Sequence, residues 1–283
     1  MKKRIAEIIT LLLFAGIIST MPAYAAETEK EDAPPLPPQI KKDVDVTAVF
    51  AKAQAQPIQG PAAEAEDSVQ IKADTIWIYY SDNTFDQFTE TPAGYVLFST
   101  GTYSFTEGGD FVIVEGEDNG SIAIDRNQKY SMETRKPEEY ASSHEYDLGT
   151  LGFVQLYGPE SGKEVEAIFG DTYQIRHADQ DGVVRHLDGV WIYYTDGSFC
   201  EYAFLDGDVT LYSNGTYEFD ESGDFHILPY EEDYGTITVT WEDSLGELKG
   251  QSETYDLGST GFVCFYEKQD PDLELPERPT EEN

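Results

Sequence analysis

The hydrophobic residues of this chain form short runs that predict β-strands. From about residue 45 onward the runs are rich in aromatic and β-branched side chains, and Gly, Asn and Asp separate them. This pattern is typical of strands joined by tight turns. In the second half of the chain the runs are VEAIF, TYQIR, VWIYYT, SFCEYAFL, DVTLYS, GTYEF, FHILPY, TITVTW and GFVCFY. The pattern predicts an all-β meander and requires no long helix.

Turn signals lie between several of these runs. Residues 82–83 (Asp-Asn) separate two runs in the first half of the chain, and residues 196–197 (Asp-Gly) do so in the second. Pairs of this kind predict two-residue hairpin turns, in which both positions need a positive φ. The pair Asn214 and Gly215 predicts a further turn, after which Gly215 opens the next strand.

Four segments of the first half reappear, in the same order, in the second half. DTIWIYYSDNTF at 74–85 matches DGVWIYYTDGSF at 188–199, an offset of 114 residues. At the same offset TGTYSFTEGGDF matches NGTYEFDESGDF at eight of twelve positions. VTAVF matches VEAIF, which favours a strand over a helix at 46–56, and YDLGTLGFV matches YDLGSTGFV. Four ordered matches indicate a tandem duplication, with copies of the usual size of one domain.

The duplication divides the chain into predicted segments. These are a signal peptide at 1–25, a disordered acidic and Pro-rich leader at 26–44, β-barrel repeats at 45–158 and 165–267, and a disordered acidic tail at 268–283. About eight strands in each copy would leave exposed edges in a flat sheet, and closing the sheet hides them. We therefore expect two tandem antiparallel meander β-barrels.

The segments WIYYSDNTF, GTYSF and GDFVI resemble those of the lipocalin-like (calycin-type) barrels of small secreted bacterial proteins. These families show a Trp-bearing strand, a hairpin of the D-G-T/S-F type and a later G-x-Y…G-D pattern. The lipocalin G-x-W signature occurs in the second copy as Gly189, Val190 and Trp191, whereas Thr75 takes the Gly position in the first. The resemblance covers most of each copy and implies a small antiparallel barrel.

The first residues predict export. Lys2, Lys3 and Arg4 precede an apolar stretch at 8–18, and the small-x-small motif at 23–25 follows it. This is the pattern of a cleaved secretory signal peptide. The apolar stretch is shorter than the about 20 residues that a membrane-spanning helix needs. We expect a secreted, extracellular protein with no membrane attachment after cleavage.

The charge of the chain limits its partners. It has 55 acidic and 18 basic side chains, a formal charge of −37 at pH 7. A surface of one sign repels polyanions. Nucleic acid and anionic membranes are therefore not expected as partners. Cationic peptides, metal ions and neutral glycans remain open.

The repeated aromatic strand supplies the candidate binding residues. Because side chains alternate along a strand, Trp77 and Tyr79 face one way, and Ile78 and Tyr80 the other. Both faces are apolar, so we expect one to pack in its own repeat. The other face is covered by a loop, the leader, the sister repeat or a ligand that stacks on the rings. The candidate ligand-binding residues are Trp77, Tyr79, Tyr80, Trp191, Tyr193 and Tyr194.

The two cysteines, Cys200 and Cys264, are candidates for a disulfide. Export allows oxidation. A bridge would close a loop of about 65 residues and stabilise the fold by about 3 to 4 kcal/mol. Two unpaired thiols are the alternative, because the sequence does not give the distance between the two Cα atoms.

Signatures of catalysis and metal binding are missing from the sequence. Its four His residues form no H-x-x-x-H or H-E-x-x-H pair, and no G-x-S-x-G or Walker loop is present. Such motifs carry the zinc, nucleophile and phosphate sites of common enzymes. DESGDFHILPYE at 220–231 fails as an EF-hand, because Phe225 occupies the position that needs Gly. We expect no enzyme activity, no bound metal and no cofactor.

These observations favour a secreted, non-enzymatic tandem β-barrel that binds an extracellular ligand. The ligand would be a glycan, an apolar small molecule or a protein. The alternative is a structural or protein-interaction module with no small-molecule site, its aromatic residues wholly buried. A carbohydrate-active hydrolase is a third hypothesis, which would need two carboxylates about 5 or 7 to 10 Å apart in a cleft.

Overall fold

Fifteen β-strands and one short 3-10 helix make up the described part of the chain in the computed structural model. The structure describes residues 41–57, 69–91, 94–106, 108–114, 117–131, 137–148, 153–176, 183–205, 208–220, 223–225, 235–257 and 262–268. The predicted signal peptide, residues 26–40 of the predicted leader and residues 269–283 of the predicted tail lie outside these ranges, as do residues 226–230 of the predicted strand FHILPY.

The strands fall into two matching sets. A short strand β1 (Lys41–Lys42) precedes both sets, and the 3-10 helix Pro159–Ser161 joins them. The first repeat contains β2 (Val46–Pro57), β3 (Val69–Tyr80), β4 (Thr84–Thr91), β5 (Gly94–Phe105), β6 (Ser121–Tyr130), β7 (Pro137–Asp147) and β8 (Phe153–Tyr157). The second repeat contains β9 (Val165–Arg176), β10 (Val183–Tyr194), β11 (Ser198–Leu205), β12 (Asp208–Phe219), β13 (Thr236–Ser244), β14 (Ser252–Asp256) and β15 (Phe262–Lys268).

Each repeat forms one sheet of meander topology. The strand order is β7-β6-β5-β4-β3-β2-β8 in the first repeat and β1-β15-β9-β10-β11-β12-β13-β14 in the second. In both, the last strand returns to pair with the first strand of its repeat, as it does in a barrel-like fold. All pairs are antiparallel except β1 with β15, which is parallel. The predicted all-β fold of two tandem antiparallel meander barrels is confirmed, with seven strands in each repeat and β1 added to the second.

The turn predicted at Asn214 and Gly215 is wrong. DVTLYS and GTYEF form the single strand β12, and this pair lies inside it at a β-bulge. A Cβ atom on Gly215 would lie 1.9 Å from the carbonyl oxygen of Thr240. Gly101 has the same position in β5, where a Cβ would lie 2.0 Å from the carbonyl oxygen of Asp125. Because these glycines have no side chain, they allow two strands to approach closely, as a bulge often requires.

Three further details of the structure differ from the prediction. VEAIF and TYQIR form the single strand β9, while the strand β14, with the sequence SETYD, was not predicted because it is polar and largely exposed. The β3–β4 and β10–β11 hairpins are present, but each loop has three residues. Only its last residue, Asn83 (φ 64°) or Gly197 (φ 79°), has a positive φ. Three-residue hairpin loops of this kind end in one left-handed position.

Apolar side chains form three clusters in the described residues. The first inner core lies within the first repeat and contains Ala48, Phe50, Trp77, Tyr79, Phe85, Tyr103, Phe111, Ile122 and Ile124. The second inner core lies within the second repeat and contains Ala167, Phe169, Trp191, Tyr193, Phe199, Phe225, Ile237, Val239, Trp241 and Leu257. The shared core draws on both repeats and contains Val46, Val49, Ala51, Ile76, Ile78, Tyr80, Phe88, Leu156, Tyr157, Val165, Ile168, Val190, Ile192, Tyr194, Phe265 and Tyr266.

The shared core shows what covers the second face of the repeated strand. Ile78 and Tyr80 of β3 pack in the same cluster as Ile192 and Tyr194 of β10. Of the coverings that the sequence left open, the structure shows mainly the sister repeat. The end of the predicted leader also contributes, because the Tyr266 hydroxyl donates to the carbonyl oxygen of Val44 at 3.0 Å.

Candidate functional site

All six candidate aromatic residues lie in apolar cores. Trp77 and Tyr79 belong to the first inner core, and Trp191 and Tyr193 to the second. The remaining two are in the shared core. None of the six exposes more than 5% of its surface. These side chains therefore form the scaffold of both repeats, with no open stacking face of their own.

The two inner cores repeat one ring arrangement. The rings of Trp77 and Tyr79 lie 6.2 Å apart with an interplanar angle of 12°, and those of Trp191 and Tyr193 lie 6.1 Å apart at 17°. Contacts between aromatic rings add to the free energy gained from burying their area. The matching geometry shows that the duplicated dodecapeptide preserves a packing unit.

In each repeat a matching tyrosine hydroxyl also forms a hydrogen bond with the residue that precedes the hairpin loop. The Tyr103 hydroxyl donates to the carbonyl oxygen of Tyr80 at 2.8 Å, and the Tyr217 hydroxyl donates to that of Tyr194 at 2.9 Å. A buried hydroxyl needs such a partner, since leaving it unpaired is costly. Burial raises the pKa of Tyr217 and of Tyr103. Both hydroxyls therefore remain protonated donors at neutral pH.

In the shared core the two repeats differ at one polar position. The Tyr80 hydroxyl donates to Asp86 Oδ2 at 2.9 Å, and this carboxylate is only 2% exposed. Burial raises the pKa of Tyr80 well above its ordinary value, and the charge of Asp86 raises it further. In the second repeat the counterpart of Asp86 is Cys200, beside Tyr194. Burial raises the pKa of that thiol.

A polar group borders the first inner core, and we call it the Arg126 cluster: Gln87, Ser99, Arg126 and Tyr146. The Arg126 guanidinium lies over the Trp77 ring, 5.1 Å from its centroid. Its Nε and Nη2 atoms each donate to Gln87 Oε1 at 3.3 Å, and Nη2 also donates to the Tyr146 hydroxyl at 3.3 Å. Ser99 Oγ donates to the same Gln87 oxygen at 2.8 Å. Neutral groups thus hold the guanidinium in one orientation.

The positive charge of the Arg126 cluster has no carboxylate partner within the described part of the chain. The contacts of Arg126 there are the three hydrogen bonds and the ring contact, and its Nη1 atom takes part in none of the hydrogen bonds. Arg126 is half-buried and Gln87 is buried. A partly desolvated charge usually has an opposite charge nearby. Arg126 therefore stands out in a chain with 55 acidic residues.

The second repeat fills the same position with an apolar ring. Trp241 is the counterpart of Arg126, because each lies opposite the bulge glycine of its repeat. Glu201 is the counterpart of Gln87, and its Oε2 atom accepts a hydrogen bond from Ser213 Oγ at 2.5 Å. Trp241 is 3% exposed and belongs to the second inner core. The two repeats thus share a scaffold but differ in chemistry at Arg126 and Trp241, as they do at Asp86 and Cys200.

The predicted disulfide between Cys200 and Cys264 is not formed. Cys200 lies on β11 and packs against the shared core, whereas Cys264 lies on β15 and packs against the second inner core. Two strands, β9 and β10, separate them in the sheet. Three strand spacings correspond to about 14 Å. This distance exceeds the about 7 Å that a disulfide can bridge between Cα atoms.

Sequence reasoning missed the Arg126 cluster because its members lie mostly outside the matched segments. The signal was present in the comparison of equivalent strands. SIAIDRNQKY of β6 and TITVTWEDS of β13 align around their bulges, and this alignment sets Arg126 against Trp241. A charged residue in place of a core aromatic residue marks a position where the two copies diverged in function or packing.

In the described ranges, no three His, Cys, Asp or Glu side chains are grouped as metal ligands. No helix of that same part of the chain is long and apolar enough to cross a membrane. No protein-family model, curated protein or solved structure matches the chain.

Proposed function

We propose that this is an exported, non-enzymatic binding protein whose first repeat contacts an extracellular ligand and whose second repeat supports it. One observation carries the proposal. Arg126 is half-buried, Gln87 and Tyr146 hold its guanidinium in place, and no carboxylate in the described residues pairs with it. The counterpart in the second repeat is the buried ring of Trp241. At this position the first repeat therefore offers hydrogen-bond donors where its duplicate has an apolar ring.

The rigidity of the cluster supports this proposal. Trp77 lies beneath the guanidinium, and Ser99 fixes the Gln87 amide that holds it. A donor that is already oriented loses little entropy when a ligand binds. In small-molecule sites a few precisely placed polar groups fix the orientation of the ligand, and the Arg126 cluster provides groups of this kind.

The proposal is tested on the mature protein by native mass spectrometry of the purified chain and by a broad glycan array. We expect a retained or captured ligand for the wild type, and its loss in Arg126→Met, which keeps the aliphatic stem and removes the donors. Lys129→Met is the matched control, because Lys129 is a cation of the same strand that lies over Phe98, 5.3 Å from its centroid. Absence of any ligand in both assays would contradict the proposal.

A second candidate is an interaction module without a small-molecule site. The burial of all six candidate aromatic residues favours it. Under this hypothesis Arg126 only closes the first inner core, as Trp241 does in the second repeat. Arg126→Trp would then leave every binding property unchanged and would not lower the melting temperature. Under the leading proposal, the same variant loses the ligand.

A further inference from the structure

From the Arg126 cluster we infer that the ligand carries a carboxylate, which binds at the Nη1 end of the Arg126 guanidinium. The inference rests on the proposed function and names the chemical class of its ligand. The Nε and Nη2 hydrogens point to Gln87 and Tyr146. The two Nη1 hydrogens remain as donors. A carboxylate is the singly charged acceptor that suits Nη1 best, because a hydrogen bond between two ionised groups is charge-assisted and about twice as strong as a neutral one.

The Ser142 hydroxyl is a second hydrogen-bond donor, on the same face of the sheet as Arg126. Ser142 of β7 is paired with Arg126 of β6 in the sheet, so the two side chains share one face. Its Oγ atom is buried and has no hydrogen-bond partner in the part of the chain that the structure describes. A buried hydroxyl without a partner is rare in proteins. Ser142 Oγ can donate to one carboxylate oxygen while Arg126 Nη1 donates to the other.

The overall charge selects a carboxylate over a phosphate. The chain carries a formal charge of −37, which opposes the approach of every additional negative charge. A phosphate monoester brings a charge of about −1.5 to −2 at pH 7, whereas a carboxylate brings −1. At physiological salt the opposing field is screened beyond about 8 Å, so the adjacent guanidinium dominates at contact. The single positive charge of the fixed guanidinium thus matches the single negative charge of one carboxylate.

The experiment compares acids with their neutral isosteres on the mature protein. The probes are benzoate against benzamide, and D-glucuronate against D-glucose, measured by saturation-transfer NMR and isothermal titration calorimetry. We expect at least one acid to bind at least tenfold more tightly than its neutral counterpart. Arg126→Met should weaken that binding at least tenfold, Ser142→Ala by a few fold, and Lys129→Met not at all.

Two variants keep the test decisive if Arg126→Met fails to fold. Arg126→Lys retains the charge without the guanidinium that Gln87 and Tyr146 hold in place, and it should bind the acid with intermediate affinity. Arg126→Trp copies the second repeat and should fold but not bind. Equal binding of acid and isostere, no binding of either, or acid binding unchanged in Arg126→Trp would overturn the inference. A ligand captured by native mass spectrometry that is neutral or independent of Arg126 would overturn this inference and leave a binding function standing.

Discussion

The rings of Tyr80 and Tyr266 lie 5.9 Å apart and join β3 of the first repeat to β15 of the second. The reverse contact is also present, since the rings of Tyr194 on β10 and Tyr157 on β8 lie 6.1 Å apart. Reciprocal contacts of this kind are those of an isologous interface, in which each partner offers the same surface. The duplication has placed such an interface inside one chain.

Loss of one ring from this interface should strongly destabilise the protein. Tyr266 is fully buried, so Tyr266→Ala removes a large side chain from the shared core. Substitutions of this type cost about 3 to 5 kcal/mol in free energy of unfolding. Urea denaturation monitored by tryptophan fluorescence measures the loss. Tyr140→Ala is the control, because Tyr140 is 41% exposed and such surface changes stay within about 0.5 kcal/mol. Equal effects of the two changes would contradict the assignment of Tyr266 to the core.

The two repeats should unfold together. The shared core contains side chains from both, so unfolding one repeat exposes apolar surface of the other. We expect a single calorimetric transition of the mature protein, with the calorimetric enthalpy equal to the van't Hoff enthalpy. Two resolved transitions, of which Tyr266→Ala shifts only one, would show that the repeats are thermodynamically independent.

The bulge glycines should tolerate no side chain. At Gly101 and Gly215 a Cβ would meet a backbone oxygen at 2.0 Å and 1.9 Å, which only a movement of the strand can relieve. Gly101→Ala should therefore cost more than about 3 kcal/mol, as severe overpacking does. Gly250→Ala is the control, since its site is open and only its φ of +77° opposes Ala. That change should cost about 1 to 2 kcal/mol. Urea midpoints of the two variants provide the comparison.

Stability should fall at alkaline pH. Burial raises the pKa of Tyr202 to about 12, whereas an unfolded tyrosine loses its proton near pH 10. Between pH 10 and 12 the unfolded chain thus binds fewer protons than the native one, so the free energy of unfolding decreases as pH rises and is unaffected near pH 7. Melting temperatures across this range measure the effect. In Tyr202→Phe the decrease should be smaller, and an unchanged slope would contradict the role of this residue.

The repeated dodecapeptide shows which features of the fold could be predicted from the sequence and which could not. Alternation placed Trp77 and Tyr80 on opposite faces and predicted that both faces would be covered, which is the case. The identity of the second cover depends on which surfaces meet in space, and no local pattern encodes that. The prediction at Asn214 and Gly215 failed for a related reason. The same dipeptide suits a turn and a bulge, and the register with β13 decides between them.

The candidate site was less accessible to sequence reasoning. Trp191 and Tyr193 have the composition of a stacking platform, and only their burial shows that they serve as scaffold. Arg126 lies in a segment without a motif, so its environment becomes visible only when β3, β4 and β7 are brought around it. The distance between Cys200 and Cys264 likewise depends on strand order, which spacing along the chain does not reveal.

The ammonium group of Lys268 forms ion pairs with both Asp45 and Glu164. These acids precede the first strands of the two repeats, so the end of the last strand lies beside both starting points. The end of the second repeat therefore lies close to the start of the first, and a short connection between them would make the chain circular. In a circular permutant, residue 268 would connect through a short spacer to residue 41, and the new termini would lie within the 159–163 connection. We expect this permutant to have the same fold, with both of its ends free for labels or fusion partners.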